Sequence, residues 1–427
     1  AGTLDASSTS PNENYSNLGG EIQVLGQEVE LTETAFINVS GNSGGGEILI
    51  GGDFQGKNEA VMNAENTTVL SGAVLQANAV NVGDGGRVIV WSDGTTDFEG
   101  HINATAGDQN GNGGFAEVSG KQYLDIIGAS VDLTSKNGKK GTLLLDPDAI
   151  VIQSASPDIK GDSTSVDIVA NTDLNNVANY GSVTSVITSG SVNTLLAGAD
   201  LSLLANNTIT LNDSISWGSG QALTLQTSTS DIAINASISA GSGNLNFSAG
   251  GSITQNSAIT SSGTTTISAG SNITLTNASN NFGTVNVTGS TVQITDTNAI
   301  ELGASTITSA FTVNAGGAIT DSGTINANGI TTTLNAGANA ITLNSSGSDY
   351  GTLDVNGSVT NLAVTDTDDI IIEAVTTSGT LDITAGGAIT QSGIIEAGSA
   401  TTISNAGNTV TLTNASNNFG TVNVTGS

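Results

Sequence analysis

Residues 275–290 read LTNASNNFGTVNVTGS, and residues 412–427 repeat the same sequence in full. Between them, residues 343–358 read LNSSGSDYGTLDVNGS, a diverged copy at offsets of 68 and 69. Inside each copy two apolar or β-branched residues stand at i and i+2, as Val285 and Val287 do, and a small residue follows at i+4. That alternation is a strand signature, and the Gly, Asn and Ser clusters beside it are turns. The same short motif runs outward in both directions, from Leu201-Leu203-Ala205 to Val422-Val424-Gly426. Its starts fall at Leu201, Leu223, Leu245, Thr265, Val285, Phe311, Thr332, Leu353, Leu381, Thr401 and Val422. A disordered linker does not keep such even spacing, and structural repeats at periods of roughly 20–50 residues mean a solenoid.

Residue type selects the solenoid. Leucine-rich repeats need a long Leu frame and helical repeats need charged, Ala/Leu-rich helices; neither pattern is present. The reading is all-β: a right-handed parallel β-helix with coils of about 20–28 residues, stacked at about 4.8 Å. Small alternating Val, Ile, Leu and Ala are expected to fill a narrow interior that excludes aromatics. Asn, Ser and Thr at the corners are expected to form stacked ladders. At about 22 residues per coil, the chain would give roughly nineteen coils and a rod about 90 Å long.

Composition agrees and removes whole classes. Of 427 residues 56 are Gly and none is Cys, so disulfide scaffolds, iron–sulfur clusters and thiolate zinc sites are excluded. The net charge of −31 makes nucleic acid a poor partner. No apolar run approaches the ~18 residues of a membrane span, and the stretch 1–10 is no signal peptide. Every base lies at or before Lys160, and the part up to that point carries −14, whereas the stretch 161–427 is acidic throughout and holds no base. The expected organisation is therefore a first domain over 1–160, transitional coils over 161–244, and tandem repeats over 245–427. Each of these repeats is expected to span three coils, at an offset of about 68.

The first part launches its strands from Gly-Gly pairs: Gly19-Gly20, Gly45-Gly46, Gly85-Gly86 and Gly113-Gly114, with Gly141 closing the series. Their uneven spacing, widest between Gly45 and Gly85, implies the same coil with longer excursions, and glycine is expected there for a positive φ. The segments GGGEILIGGDFQGK (44–57), GDGGRVIVWSDGTTDFEGHI (83–102), GNGGFAEVSGKQYL (111–124) and KGTLLLDPDAIVI (140–152) resemble large bacterial exoproteins of the filamentous-haemagglutinin type. The resemblance is close over about 19–152 and extends to 190–427 only as repeat style. Ser10-Pro11-Asn12-Glu13 is not a convincing match to the Asn-Pro-Asn motifs of that family's secretion domain. The resemblance implies a right-handed β-helix shaft and two-partner secretion through an outer-membrane β-barrel transporter. It also implies a secreted or cell-surface location in a Gram-negative-type bacterium, with adhesion to host, neighbouring-cell or matrix glycans.

Sites of chemistry are few. Thr365-Asp366-Thr367-Asp368-Asp369 clusters carboxylates in a pattern calcium uses, with Asp366, Asp368 and Asp369 as candidate ligands; a solvated turn is the simpler reading. Its counterpart, Thr295-Asp296-Thr297-Asn298-Ala299, keeps one acid. Asp146-Pro147-Asp148 is a paired-carboxylate candidate against a strand break, and His101, the single histidine, a base candidate against a turn residue. Trp91 and Trp217 are sugar-stacking candidates against buried packing, and Gly83–Gly86 and Gly111–Gly114 read as turns, not phosphate loops. Asn277, Asn286, Asn414 and Asn423 head the Asn-x-Ser/Thr glycosylation candidates, with Asn38 and Asn103.

No catalytic residue and no cofactor emerge, and the expected function is a non-catalytic structural and adhesive shaft serving attachment, biofilm or filament formation. The alternatives are a β-helix polysaccharide lyase or hydrolase, and the stalk of a contact-dependent toxin. Ser427 falls inside a repeat, from which either a longer native chain or end-to-end self-association of copies is expected.

Overall fold

The computed structural model describes residues 2–9, 17–154, 184–405 and 407–425. Ser10–Glu13, the composition boundary near Lys160, Gly426 and Ser427 lie outside them. The chain divides into two compact units, Ala1–Ala236 and Ser237–Ser427, a division that falls within the span read as transitional coils. Both units are built as a parallel β-helix.

In the first unit one column of strands runs through Glu21–Val24, Glu47–Ile50, Arg87–Ser92, Phe115–Gly120, Thr142–Leu145, Asp200–Ala205 and Leu223–Thr227. Its register stacks Ile22, Ile48, Val88, Ala116, Leu143, Leu201 and Leu223 one over another. Two further columns close the coil. One comprises Glu28–Leu31, Asn66–Val69, Thr95–Phe98 and Tyr123–Asp125. The other comprises Thr3–Asp5, Phe36–Asn38, Val74–Gln76, His101–Asn103 and Ser130–Asp132. Like apolar residues therefore bury on like, each worth about 1.5–3 kcal/mol for a full-sized side chain.

The Gly-Gly pairs serve a different purpose from the expected one. Positive φ belongs to Gly44, Gly83 and Gly111, upstream of the pairs. At the pairs, a Cβ on Gly86 would lie 2.2 Å from the Gly46 carbonyl oxygen, and one on Gly114 would lie 2.2 Å from that of Gly86. Glycine is required because successive coils touch backbone to backbone there.

One element breaks the all-strand pattern. Ser189–Gly198 is an α-helix, capped by the Thr188 hydroxyl accepting from Ser191 N, and it buries Val192, Leu195 and Leu196. It packs beside Ser130–Asp132, where Leu133 N donates to Gly198 O.

In the second unit the strand register reassigns the two longest steps of the motif, Val285 to Phe311 and Leu353 to Leu381. Val285 is overlaid by Leu302, not by Phe311, and Phe311 stacks on Val292, which stacks on Ile273. The continuous strand Asn281–Asp296 carries the chain around the corner between the two columns. Likewise Leu353 is overlaid by Ile372, and Leu381 stacks on Leu362, which stacks on Ile341. The path from Val285 to Phe311 is thus a sideways step to Val292 followed by one coil, Val292 to Phe311. The path from Leu353 to Leu381 is in the same way a step to Leu362 and one coil. Two motif strands escaped the sequence reading, Val292-Ile294-Asp296 and Leu362-Val364-Asp366, because each ends in a buried acid where a small residue was expected. Each repeat accordingly has four motif strands and a little more than three coils, and its motif advances one column relative to the preceding repeat.

Aromatics do enter the interior: Phe98, Phe247, Phe311 and Tyr350 are at most 1 % exposed. The shape of a coil is set by its inward set as a whole, so one large ring is accommodated beside neighbours such as Thr332 and Val292.

Candidate functional site

A dense polar constellation lies in the first unit, on the outer surface of its first column. Segment 51–63, part of the longest excursion, lies back across that sheet, so that Leu49, Ile89 and Trp91 are buried although they point away from the coil interior. This explains why Glu47–Ile50 is buried on alternate residues and between them too. Glu117 points outward in the same row and is fully buried. Both of its carboxylate oxygens accept from Gln55 N, at 3.2 and 3.1 Å. Gln55 holds φ at 54°, the one left-handed non-glycine among the described residues. Its side chain donates to Asp146 Oδ2 at 2.6 Å and accepts from Lys57 Nζ at 2.7 Å.

Arg87 bridges Glu47 and Asp53 and stands 5.9 Å from the centroid of the Phe54 ring, which meets Phe115 edge to face. Burial pushes the Glu117 carboxyl up to about 7; the Gln55 amide and Ser119 pull the other way, and nearby Asp146 adds to the rise. Burial also raises Asp146, against the Gln55 hydrogen bond and Lys57. At Asp53 burial is outweighed by hydrogen bonds from Asn58, the Phe54 amide and Arg87, and its carboxyl lies below the ordinary range. The sequence reading marked Asp146 but not its partner. Asp148 turns elsewhere, accepting from Asn206. The missed signal was an acid at the third place of a Gly-Gly-led strand, Phe115-Ala116-Glu117-Val118, where Leu49, Ile89 and Leu144 stand in neighbouring coils.

The second unit holds the acidic turn. Asp366, Asp368 and Asp349 bring one carboxylate oxygen each within 4.8 Å of the others, so Asp349 takes the place expected of Asp369. Asp369 instead accepts from Ala388 N at 2.6 Å. The turn is not simply solvated. Asp366 is 2 % exposed and accepts from Tyr350 N (2.6 Å) and Asp368 N (2.9 Å). Asp296 does the same with Phe282 N (2.7 Å) and Asn298 N (2.9 Å). The acid common to both copies is therefore a corner latch that satisfies backbone donors. Burial raises the Asp366 carboxyl to about 6, opposed by those two amides and assisted by Asp368 and Asp349.

A second latch alternates with it. Gln255 and Asn280 exchange side-chain amide hydrogen bonds, and Gln391 and Asn417 repeat the pair. Asn280 and Asn417 each also accept from the backbone of the Ile that opens the adjoining strand, Ile259 and Ile395. In the middle repeat the Ser348 hydroxyl accepts from Ile325 N in their stead.

Trp91 and Trp217 are 3 % and 7 % exposed, with ring N–H groups donating to Asp93 and Gln221 O, so neither offers a face to a sugar. His101 opens the strand His101–Asn103, in register between Val74 and Ser130. Asn277 and Asn414 spend their amide groups on Asn256 O and Gly393 O, Asn286 lies in a strand beside Thr266, and Asn423 is exposed on the strand Val422–Thr425. Gly83 and Gly111 are turn residues at φ 94° and 122°. No helix among the described residues is long and apolar enough to cross a membrane.

Three consecutive stretches, residues 219–288, 289–356 and 359–425, match a family described as repeats of unknown function (DUF5649). The limits between these stretches coincide with the two sideways steps, Val285 to Val292 and Leu353 to Leu362. No curated protein matches the chain.

Proposed function

We propose that this chain is a non-catalytic shaft segment of a large secreted bacterial surface exoprotein, one that serves attachment. The observation that carries the reading is how the repeats spend their residues. The buried acid and amide that recur between copies, Asp296 and Asp366, and Asn280 and Asn417, latch one coil to the next. Repetition of that kind adds length; it does not assemble a cleft.

The charge fits an extracellular surface that stays dispersed, since the stretch 161–427 carries acids and no base. Export through a two-partner transporter and adhesion to cell-surface or matrix glycans follow from the resemblance of the stretch 19–152 to filamentous-haemagglutinin-type exoproteins. The enzyme reading has one observation in its favour, the buried Glu117 carboxyl near Asp146, but segment 51–63 covers that carboxyl. Beads coated with the full chain should be retained on cell-surface or matrix glycans, while acidic polysaccharide incubated with the chain keeps its length. Shortened polysaccharide would overturn the reading.

A further inference from the structure

Segment 51–63 has the parts of a hinged cover. Gly51 and Gly56 adopt φ of 73° and 59° at its two bends. Trp91 lies so close beneath that a Cβ on Gly56 would stand 2.5 Å from its Nε1 and one on Gly52 would stand 2.7 Å from its Cδ1. Side chains hold the segment down at three points: Asp53 on Arg87, Asn63 on Asp93, and the left-handed Gln55 on Glu117 and Asp146. Only the last fixes a fully buried carboxyl, and only while the cover is down is that carboxyl shielded from water.

We propose that residues 51–63 form a proton-gated cover, closed in mild acid and loosened in mild alkali, with Glu117 as the group that decides. The charged groups around Glu117 are known from every side. The cover contributes Asp53 and, through Gln55, Lys57; the neighbouring strand contributes Arg87, already engaged by Glu47 and Asp53; the end of the next strand contributes Asp146, with Asp148 beyond it.

The sign follows from linkage. A carboxyl that titrates near 7 when covered and near 4.5 when open favours the covered state below 4.5, and this advantage is lost as pH rises through 7. Asp146 acts in the same direction. Asp53, held low, acts in the opposite direction but completes its titration below this window.

Hydrogen–deuterium exchange on the full chain, corrected for the intrinsic pH dependence of exchange, tests the proposal. Opening at peptides covering 51–63 should rise about 25-fold between pH 5.5 and 8, while peptides covering 201–205 show no comparable change. Glu117→Gln keeps an acceptor for Gln55 N and removes the titration of the deciding group, so its cover should lose most of the slope and keep only the part Asp146 contributes. Gln55→Gly keeps the N–H and suits the left-handed backbone, so it should retain the slope. A flat wild-type profile, a Glu117→Gln profile that keeps most of the slope, or loss of the slope in Gln55→Gly would each overturn the proposal. Should Glu117→Gln fail to fold, the other two profiles still decide it.

Discussion

Thr265, Thr332 and Thr401 occupy the same place in three successive repeats, the first inward position of the third motif strand. Each is fully buried and its hydroxyl has no hydrogen-bond partner. Their stacked neighbours are apolar: Leu245 and Val285, Phe311 and Leu353, Leu381 and Val422. A buried hydroxyl without a partner costs on the order of 1 kcal/mol or more. Thr265→Val, Thr332→Val and Thr401→Val should therefore each stabilise the chain by about 1 kcal/mol, read as a rise in the urea midpoint. A lower midpoint would mean that the hydroxyls are satisfied. At this scale the sequence was legible where alternation alone decides burial, as at Leu223 and Leu225. It was not legible at Asp366 or Glu117, because an acid between apolar residues reads as outward and solvated. Only the corner amides of Tyr350 and Asp368, or the overlying Gln55, make burial of those carboxylates tolerable.

The Gly-Gly-led strands of the first unit were legible, since Gly-Gly followed by alternation marks the entry into each coil, whereas the strands of the other two columns, such as Glu28–Leu31 and Phe36–Asn38, carry no such lead. The spacing of the Gly-Gly-led strands was legible too. What the spacing did not reveal is why glycine stands there, because the clash that excludes a side chain is with the preceding coil, as Gly114 meets Gly86. Gly114→Ala should therefore destabilise the unit by about 3 kcal/mol, through overpacking against a backbone carbonyl that has nowhere to move. Gly218→Ala, where nothing lies within 4 Å, should leave the melting temperature unchanged. Equal effects of the two substitutions would refute the close-approach explanation. The helix Ser189–Gly198 had a readable signal that the strand rhythm obscured: Thr188 as cap, then Val192, Leu195 and Leu196 on one face. The cover over Leu49, Ile89 and Trp91 had none, because the outward row of a strand does not announce what lies on it.

Across the whole molecule, the fold class was the most legible feature, since a recurring segment that itself contains shorter strand rhythms admits little besides a solenoid. The arrangement of the repeats was less legible. A count of residues between motifs cannot distinguish one long coil from a short coil plus a sideways step, and the latter is what Asn281–Asp296 and Leu353–Leu362 provide. The central claim is therefore in-register parallel stacking in which the motif moves one column at each repeat boundary. The chain has no cysteine, so engineered pairs report cleanly. Gln293 and Thr312 are register partners and face outward, at the roughly 4.8 Å separation a disulfide tolerates. Asn286 and Thr312 are equivalent in the motif but stand in different columns. Under mild oxidation the Gln293→Cys/Thr312→Cys chain should form an intramolecular disulfide while the Asn286→Cys/Thr312→Cys chain stays reduced; cross-linking of the second pair and not the first would contradict the account.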